Sequence, residues 1–370
     1  MPGPSLILTV NAGSSSLKLR LLGGGDEVLA EHEGPGGDDP EQLRDDLRQI
    51  LRDGPSPDAA AHRVVHGGAE FDRPTRIDPA IEERLARLAD LAPLHNPQAV
   101  RAMRALDAVA PGLPTVACFD TAFHADLPAA ASTYALPAAW ARQYPLRRYG
   151  FHGLSHAYAS RRAAELLGAA PRDLRLVTAH LGAGASLAAV AGGRSVDTTM
   201  GFTPLEGLVM ATRAGSVDPG LLLWVQRHAG IGPEEMERAL DREAGLLGLA
   251  GTADMREVVA GAAAGDERRR LALDVYVHRL AASIAAMAAA MGGLDGLVFT
   301  GGVGENSAAV RARACEATAF LGVTIDAGRN EAGLPDTVIS PAAAEVAVLL
   351  VAAREDAEMA RQARAILADA

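Results

Sequence analysis

Residues 6–22 read LILTVNAGSSSLKLRLL and place a polar turn that contains glycine between two apolar runs. The first run, Leu6–Val10, is short and bulky, which predicts a buried strand. In the second run, residues 17–21, leucines alternate with Lys18 and Arg20, which is the period of a half-exposed strand. We therefore expect a β-hairpin here.

The turn of this hairpin carries groups that bind phosphate. Gly13 allows a close backbone approach, residues 14–16 supply three serine hydroxyls, and Lys18 supplies a cation. Lys18 is the only lysine in the chain, which suggests that a compact point charge is needed there. A Walker-type loop is not predicted, because that loop requires a second glycine and a following helix. The alternative interpretation is an ordinary polar hairpin turn.

Length and composition predict a two-domain cytoplasmic protein. A chain of 370 residues exceeds one ordinary core. Its net charge of −11 argues against nucleic acid or an anionic membrane as the main partner. The N-terminus does not resemble a signal peptide, and the longest apolar tract, 280–291, is too short to span a bilayer. Cys118 and Cys315 lack a C-x-x-C spacing, so we expect buried thiols rather than a disulfide or a zinc site.

Polar residues lie where several predicted strands end, and ligands of α/β sheets bind at such ends. Arg63 lies near the end of the strand in AHRVVHGG, residues 61–68. Asp120 directly follows the apolar run 114–119, a position typical of a metal-binding or catalytic acid, although a helix cap is the competing role. Two prolines fix the loop that presents His95 between two predicted helices, and a simple turn is the alternative there.

The stretch RRYGFHGLSH, residues 147–156, places two arginines, two histidines and two glycines directly before a predicted helix. This density favours a functional loop, and His152 is its best candidate because the adjacent glycine permits a ligand to approach closely. Residues 200–220 are neither a regular strand nor a polar linker. Within that segment only Asp218 lies near Arg213 in sequence, which favours an anionic ligand for this arginine.

Two more turns that contain glycine follow predicted strands. Residues 174–191 repeat the strand, turn and strand of the first hairpin, and two such hairpins would clamp a polyphosphate. Residues 296–320 predict a strand, the turn GGVGEN and a helix, an arrangement that offers backbone N–H groups to a nucleotide. The C-terminus, residues 342–368, predicts one long helix.

Seven motifs in chain order resemble those of the acetate kinase family. They are NAGSSSLK (11–18), HRVVHGG (62–68), LHNP (94–97), FDTAFH (119–124), YGFHGLSH (149–156), the segment 200–219 and TGGVGEN (300–306). These motifs span nearly the whole chain. The resemblance implies an α/β, two-domain actin-like (ASKHA) fold, shared with sugar kinases and heat-shock ATPases, with ATP in the cleft between the domains.

The resemblance also implies an activity and partners. The reaction is reversible in-line transfer of the ATP γ-phosphoryl group to acetate, which gives acetyl phosphate and ADP. The implied metal is Mg²⁺, with Mn²⁺ as a substitute, and the implied assembly is a homodimer. The expected domains are residues 1–124 with 348–370, and residues 125–347, which would carry the nucleotide site and the dimer contact.

Carried onto this chain, the resemblance assigns roles residue by residue. The catalytic residues are Asp120, His152, Arg63, Arg213 and His95, of which His152 and Arg213 stabilise the transition state. The substrate-binding residues are Arg63, Val65, Leu94, Phe151 and Pro204. The ATP-binding residues are Ser14, Ser16, Lys18, His180, Gly182, Gly184, Asp254, Arg256, Gly302, Gly304 and Asn306. The metal-binding residues are Asn11 and Glu345.

Three departures separate this chain from the family pattern. The chain is somewhat short, which we attribute to trimmed surface loops around residues 24–60. The second hairpin has Ala183 where the family has asparagine, and the C-terminal acidic pair is reduced to Glu345. The rival interpretations are a propionate or butyrate kinase, since one methylene is worth only about 1–3 kcal/mol, and a catalytically weak nucleotide-binding regulator. Replacing Arg63 or Arg213 by alanine is expected to abolish turnover with little loss of folded protein.

Overall fold

The structure is a computed structural model that describes residues 5–13, 16–36, 39–92 and 96–368. These residues form two compact units. The first unit comprises the chain up to Ala125, Phe151–Tyr158 and the chain from Arg354, and the second comprises Asp126–Gly150 and Ala159–Ala353. The predicted domain boundaries, after residues 124 and 347, stay a prediction.

The described residues contain strands and helices in alternation, as an α/β protein requires. The strands are β1 (Ile7–Ala12), β2 (Ser16–Leu22), β3 (Val28–Pro35), β4 (Ala59–Val64), β5 (Thr75–Arg76), β6 (Thr115–Phe119), β7 (Arg175–Leu181), β8 (Ala185–Ala191), β9 (Arg194–Thr198), β10 (Gly296–Thr300), β11 (Thr337–Val338) and β12 (Ala347–Leu350). The α-helices are α1 (Pro40–Asp53), α2 (Pro79–Arg87), α3 (Asn96–Val109), α4 (Ala129–Ser132), α5 (Ala138–Gln143), α6 (Gly153–Leu167), α7 (Pro219–Ala229), α8 (Pro233–Arg242), α9 (Gly245–Ala250), α10 (Met255–Ala263), α11 (Glu267–Ala290), α12 (Gly301–Asn306), α13 (Ala308–Ala317), α14 (Ala327–Ala332) and α15 (Glu355–Ala368).

The first unit is built on a six-stranded sheet with the order β3-β2-β1-β4-β6-β5. The predicted hairpin is confirmed, because β1 and β2 pair antiparallel with Asn11 opposite Lys18. Leucines on one face pack against α1 and α3, whereas Ile7 and Ala61 on the other face pack against α15. Side chains alternate between the faces of a strand, so the α15 face also carries Asn11, Lys18 and Arg63. The hairpin therefore sets polar groups in a row at one end of an apolar face.

The second unit is built on a six-stranded sheet with the order β11-β12-β10-β7-β8-β9. The second predicted hairpin is confirmed, because β7 and β8 pair antiparallel. Helix α11 is the one helix of the described residues that is long and apolar enough to cross a membrane. Half of its most apolar stretch is buried inside the structure, which is typical of a core helix. Cys118 and Cys315 are both buried and free, as expected.

The prediction of one long C-terminal helix is wrong. Residues Ala347–Leu350 form β12, which pairs parallel to β10, and α15 begins only at Glu355. A parallel strand that is buried on both faces shows no alternation of apolar and polar residues, so a short apolar run does not distinguish it from a helix. The buried partner strand β10, about 50 residues earlier in the chain, decides the conformation here.

Two buried histidines make the stability of the first unit depend on pH. Burial lowers the pKa of His62 to about 3 and that of His124 to about 4. Neither ring nitrogen of His62 has a hydrogen-bond partner among the described residues. In the unfolded chain both imidazoles titrate near pH 6.5, so the unfolded state takes up protons first as the pH falls.

We expect the free energy of unfolding to fall by roughly 1 kcal/mol per pH unit for each of these histidines between about pH 6.5 and pH 4. Urea denaturation at several pH values measures this slope. The variant His62→Leu should flatten the slope, whereas the control His278→Leu, at an exposed position of α11, should leave it unchanged. A slope that is the same in all three proteins would contradict the assignment.

Candidate active site

The first unit gathers polar side chains around Arg63, at the end of β4. The Arg63 guanidinium donates to both carboxylate oxygens of Asp120, with Nη2–Oδ2 at 2.7 Å and Nε–Oδ1 at 3.0 Å. Its Nη1 lies 3.4 Å from Asn11 Oδ1 and 3.4 Å from Glu355 Oε2. Asp120 is only 1% exposed, whereas the Arg63 side chain is 20% exposed. The guanidinium is thus anchored by the buried carboxylate, and part of it remains accessible to solvent.

Burial and charge act in opposite directions on this ion pair. Burial raises the pKa of the Asp120 carboxyl, and the nearby Arg63 opposes that rise. Burial alone would lower the pKa of Arg63, but the carboxylates of Asp120 and Glu355 outweigh it and hold the pKa above its ordinary value. Arg63 therefore remains a fixed cation. Asp120 would be costly to bury as an anion without it.

The loop that carries His152 is tied to Asp120 through its backbone. Gly153 N–H donates to the Asp120 carbonyl oxygen at 2.9 Å, and a Cβ on Gly153 would overlap that oxygen. His152, one residue earlier, adopts a positive φ of 55°. Such a backbone is strained for a residue other than glycine and is concentrated at functional sites. Phe151 is buried and contacts the ring of His66 edge-on, with centroids 5.3 Å apart.

The first hairpin turn is closed by a hydrogen bond from Gly13 N–H to the Ser16 carbonyl oxygen, at 2.8 Å. Lys18 is 52% exposed and lies 3.8 Å from Glu33 on the neighbouring strand. Val65 is half-buried directly after β4. Three predicted site residues, Ser14, Leu94 and His95, lie outside the described residues.

Arg213 lies in the second unit and has a partner that its sequence neighbourhood does not reveal. Its Nε donates to Asp241 Oδ1 at 2.9 Å, and its Nη1 lies 3.4 Å from the Pro204 carbonyl oxygen. The argument that only Asp218 could neutralise Arg213 is therefore wrong. Asp218 instead caps α7 by accepting from Gly220 N–H at 2.8 Å. Arg213 is 20% exposed, so it keeps an accessible edge like Arg63.

A cavity of about 840 Å³ in the second unit brings together many of the residues predicted to bind ATP. Gly182, Asp254, Arg256, Gly302 and Asn306 line it, together with Ala183 and Tyr276. Gly184 and His180 lie beside it in the β7–β8 hairpin, whose turn is closed by Gly182 N–H donating to Gly184 O at 2.9 Å. Gly304 is buried in α12. Asp254 also has a structural role, since it caps α10 and pairs with Arg256.

Sequence reasoning missed two residues of this cavity region. The Tyr276 hydroxyl is buried and has no hydrogen-bond partner in the described part of the chain, although Tyr276 lines the cavity. The buried Arg311 donates to the carbonyl oxygens of Gly304 and Glu305, both at 2.8 Å, and so fixes the end of α12. Tyr276 resembles any other buried position of α11 in the sequence, and only the fold shows that it borders the cavity.

The two predicted metal-binding residues belong to different units. Glu345 is in the second unit, beside the turn at Gly322, whereas Asn11 is in the first. In the first unit the carboxylate near Asn11 and Asp120 is that of Glu355, the first residue of α15. A signal existed in the sequence, because Glu355 and Asp356 form an acidic pair.

The described residues contain no cluster of three histidine, cysteine or acidic side chains that could hold a metal alone. The first unit nevertheless offers carboxylate and amide oxygens around Arg63, from Asp120, Glu355 and Asn11. Oxygen ligands of this type suit Mg²⁺, which commonly uses one or two carboxylates together with substrate phosphates. The donor chemistry thus fits a divalent cation.

An arginine held against carboxylates in one unit, and a cavity beneath a glycine turn in the other, are features of a nucleotide-dependent kinase. The chain belongs to the acetokinase family, whose model matches residues 42–361. The acetate kinase of Leifsonia xyli subsp. xyli is 47% identical and covers 97% of this chain and 98% of its own length. That of Streptomyces coelicolor is 45% identical, with coverages of 98% and 90%.

Solved structures agree with this assignment. The acetate kinase of Porphyromonas gingivalis superposes with a TM-score of 0.90 at 35% identity, covering 98% of this chain and 100% of its own. A propionate kinase from Francisella tularensis gives 0.88 at 35% identity, covering 97% and 98%. The predicted actin-like α/β fold is confirmed. Membership of the family implies an ATP substrate and a divalent metal.

The ion pair of Arg63 and Asp120 changes one expectation for the Arg63→Ala variant. Its removal leaves Asp120 buried without a cation, so we expect a loss of about 3–5 kcal/mol in the free energy of unfolding. The control is Arg175→Ala, because Arg175 makes an equally bidentate pair with Asp295 at the surface. We expect that control to lose much less, because solvent screens an exposed ion pair.

Urea denaturation measures both losses, and two further results decide the cause. The double variant Arg63→Ala, Asp120→Ala should regain most of the loss, because no buried charge remains. In Arg63→Ala the folded-state pKa of Asp120 lies above its unfolded value, so the loss should shrink as the pH falls. A double variant as unstable as the sum of the single variants would show that the ion pair is not responsible.

Proposed function

We propose that this protein transfers the terminal phosphoryl group of ATP to the carboxylate of acetate, giving acetyl phosphate and ADP. The observation that carries the proposal is the Arg63 guanidinium, fixed by buried Asp120 beside the loop of His152. A carboxylate and a phosphate are both anions, so an acceptor of this type needs a fixed cation. The names of the relatives support acetate, and the propionate kinase among the similar structures makes propionate the second candidate.

The chemistry needs positioning and charge more than proton transfer. Acetate is already ionised at neutral pH, so no general base has to activate it. The barrier contains the repulsion between the attacking carboxylate and the phosphate, and Arg63, Arg213 and His152 would reduce it. A single well-placed arginine can contribute on the order of 10³-fold to phosphoryl transfer. Asp120 would act through Arg63, which it orients and holds charged.

The nucleotide is proposed to bind in the cavity of the second unit. Its walls offer small residues for close approach at Gly182 and Gly302, and polar groups at Asp254 and Asn306. Ala183 contributes a methyl group where the family has an amide, so one side-chain contact to phosphate is absent. Ser16 and Lys18 of the first hairpin are proposed to contact the phosphates.

Mg²⁺ is the proposed metal, with Mn²⁺ as a substitute. Asn11 and Glu355 would hold it in the first unit, and when bound it would neutralise charge on the nucleotide phosphates. Glu355 replaces Glu345 in this proposal, because Glu355 lies at the Arg63 cluster, by which we mean Arg63, Asp120, Glu355 and Asn11. The reaction uses soluble metabolites, so a cytoplasmic location is proposed.

A homodimer is proposed from an apolar surface at α7. Leu221, Leu223 and Trp224 are each at least half exposed on this helix, and Val217 is exposed just before it. A contiguous apolar patch on a helix is typical of a protein contact, and a second copy of the chain is the proposed occupant. A protein that sediments as a 38.2 kDa monomer would contradict this proposal.

The reaction is tested by incubating the protein with ATP, Mg²⁺ and acids of two to four carbons, with hydroxylamine present to trap the acyl phosphate. We expect acetyl hydroxamate as the main product, and a loss of about 10³-fold in kcat for Arg213→Ala. The control Arg175→Ala should retain the activity of the wild type. Absence of a trapped product with every acid would favour the regulator, and a larger product yield with propionate would favour the second candidate.

The metal proposal predicts different effects for two glutamates. Glu355→Gln should raise the Mg²⁺ concentration needed for half-maximal activity by about 10-fold or more, because one charged oxygen ligand is lost. The matched control Glu345→Gln should leave that concentration unchanged. Titration of activity against Mg²⁺ measures both. If that Mg²⁺ concentration rose in Glu345→Gln and not in Glu355→Gln, Glu345 would be the metal ligand, as the sequence resemblance implies.

A further inference from the structure

A hydrogen-bond network in the second unit surrounds Gly201, in the segment between β9 and Arg213. We call Tyr134, Arg148 and Glu206 the Glu206 network. The Glu206 carboxylate accepts from the Tyr134 hydroxyl at 2.5 Å and from Arg148 Nη2 at 2.8 Å. Arg148 Nη1 also donates to three successive carbonyl oxygens, those of residues 198–200, at 3.1–3.2 Å. One guanidinium therefore holds both ends of the segment 198–206.

The backbone inside this segment is enclosed on several sides. Gly201 O accepts from the N–H groups of Tyr149 at 3.0 Å and Gly150 at 3.2 Å. The Tyr134 hydroxyl accepts from Phe202 N–H at 2.9 Å. A Cβ on Gly201 would overlap both the Glu206 carboxylate and the Tyr134 hydroxyl, so only glycine fits. Residues 199–206 have no regular secondary structure, and these contacts supply the order that a strand or helix would give.

The protonation states of the network keep its hydrogen bonds in place at neutral pH, so that it can act as a permanent tether of the segment 198–206. Burial, together with the hydrogen bond to Glu206, raises the pKa of the Tyr134 hydroxyl, so Tyr134 remains a donor at neutral pH. Arg148 is 17% exposed and also lies over the Tyr134 ring, 5.6 Å from its centroid. An ion pair of this burial holds its geometry better than one at the surface.

We propose that the Glu206 network positions the segment 198–206, which carries the predicted substrate-binding residue Pro204, and that Tyr134, Arg148 and Glu206 are positioning residues for phosphoryl transfer. This inference rests on the proposed function. The fixed segment continues into Pro204, whose carbonyl oxygen contacts Arg213. On the other side, Arg148 precedes Phe151 and His152 by three and four residues in the chain. Displacement of a positioning group by about 1 Å can cost 10²-fold in rate.

The network has no contact with the nucleotide cavity, since none of its three residues lines that cavity. If the network positions the residues that bind acetate, its loss should affect acetate and not the nucleotide. The kinetics with acetate should change, and the affinity for nucleotide should not. A general structural defect would change both.

The test compares Tyr134→Phe, Glu206→Gln, Arg148→Lys and Arg148→Gln with the wild type. The control is Arg194→Gln, because Arg194 forms an exposed pair with Asp126 in the same unit. The measurements are kcat and KM for acetate, the Kd of ADP by calorimetry, and hydrogen exchange of the peptide 198–210. Tyr134→Phe and Glu206→Gln should lower kcat/KM for acetate by about 10- to 100-fold, while the Kd of ADP stays within about twofold.

Three further results would support the tether. The double variant Tyr134→Phe, Glu206→Gln should lose less than the product of the single losses, because both disrupt one network. Arg148→Lys should lose less than Arg148→Gln, because it retains the charge. Exchange of the segment should become faster in each network variant and stay unchanged in Arg194→Gln.

Unchanged kinetics in folded Tyr134→Phe and Glu206→Gln would overturn the inference, and so would an equal loss of ADP affinity. A wild type that phosphorylates no acid would instead refute the proposed function. In that case hydrogen exchange still decides whether the network orders the segment, and unchanged exchange at 198–206 in Tyr134→Phe would refute the tether itself.

Discussion

The ion pair between Arg63 and Asp120 is the interaction on which the first unit depends. A carboxylate that is almost fully buried needs a cation, and the bidentate guanidinium supplies it. The pair joins the ends of the neighbouring parallel strands β4 and β6. The loop of His152 then packs on the Asp120 backbone, and α15 begins beside the guanidinium. One pair of charges thus fixes four separate parts of the chain.

The two units use different means to handle negative charge. The first uses a side chain, Arg63, whose positive charge is paired with the carboxylates of Asp120 and Glu355. The second offers backbone N–H groups and an open cavity. This cavity is lined mainly by small residues and bordered by the turn at Gly301 and Gly302. Arg311 and Glu305 stabilise that turn from behind, since Glu305 accepts from Gly301 N–H at 3.0 Å. The second unit also has a guanidinium with an accessible edge, that of Arg213, whose side chain is 20% exposed.

Local patterns were sufficient to predict much of the fold, and distant contacts explain the failures. Both hairpins and the strand, glycine turn and helix at 296–306 depend on residues adjacent in sequence, and the alternation of side chains reveals them. The partner of Arg213 is Asp241, 28 residues away, and the carboxylate beside Arg63 comes from Glu355 at the far end of the chain. The extended conformation of β12 depends on its pairing with β10. The acidic pair at Glu355 and Asp356 is visible in the sequence, but none of these three pairings is, because each joins distant parts of the chain.

Lys18 has a practical consequence that follows from its isolation. It is the sole side-chain amine of the protein, it is half exposed, and it pairs across the hairpin with Asn11. An amine-directed fluorophore or crosslinker therefore has one side chain to react with, and that side chain stands next to the Arg63 cluster. Apart from the α-amino group, Lys18 is thus the one amine open to labelling, and no lysine has to be removed before a spectroscopic probe reports from the first hairpin.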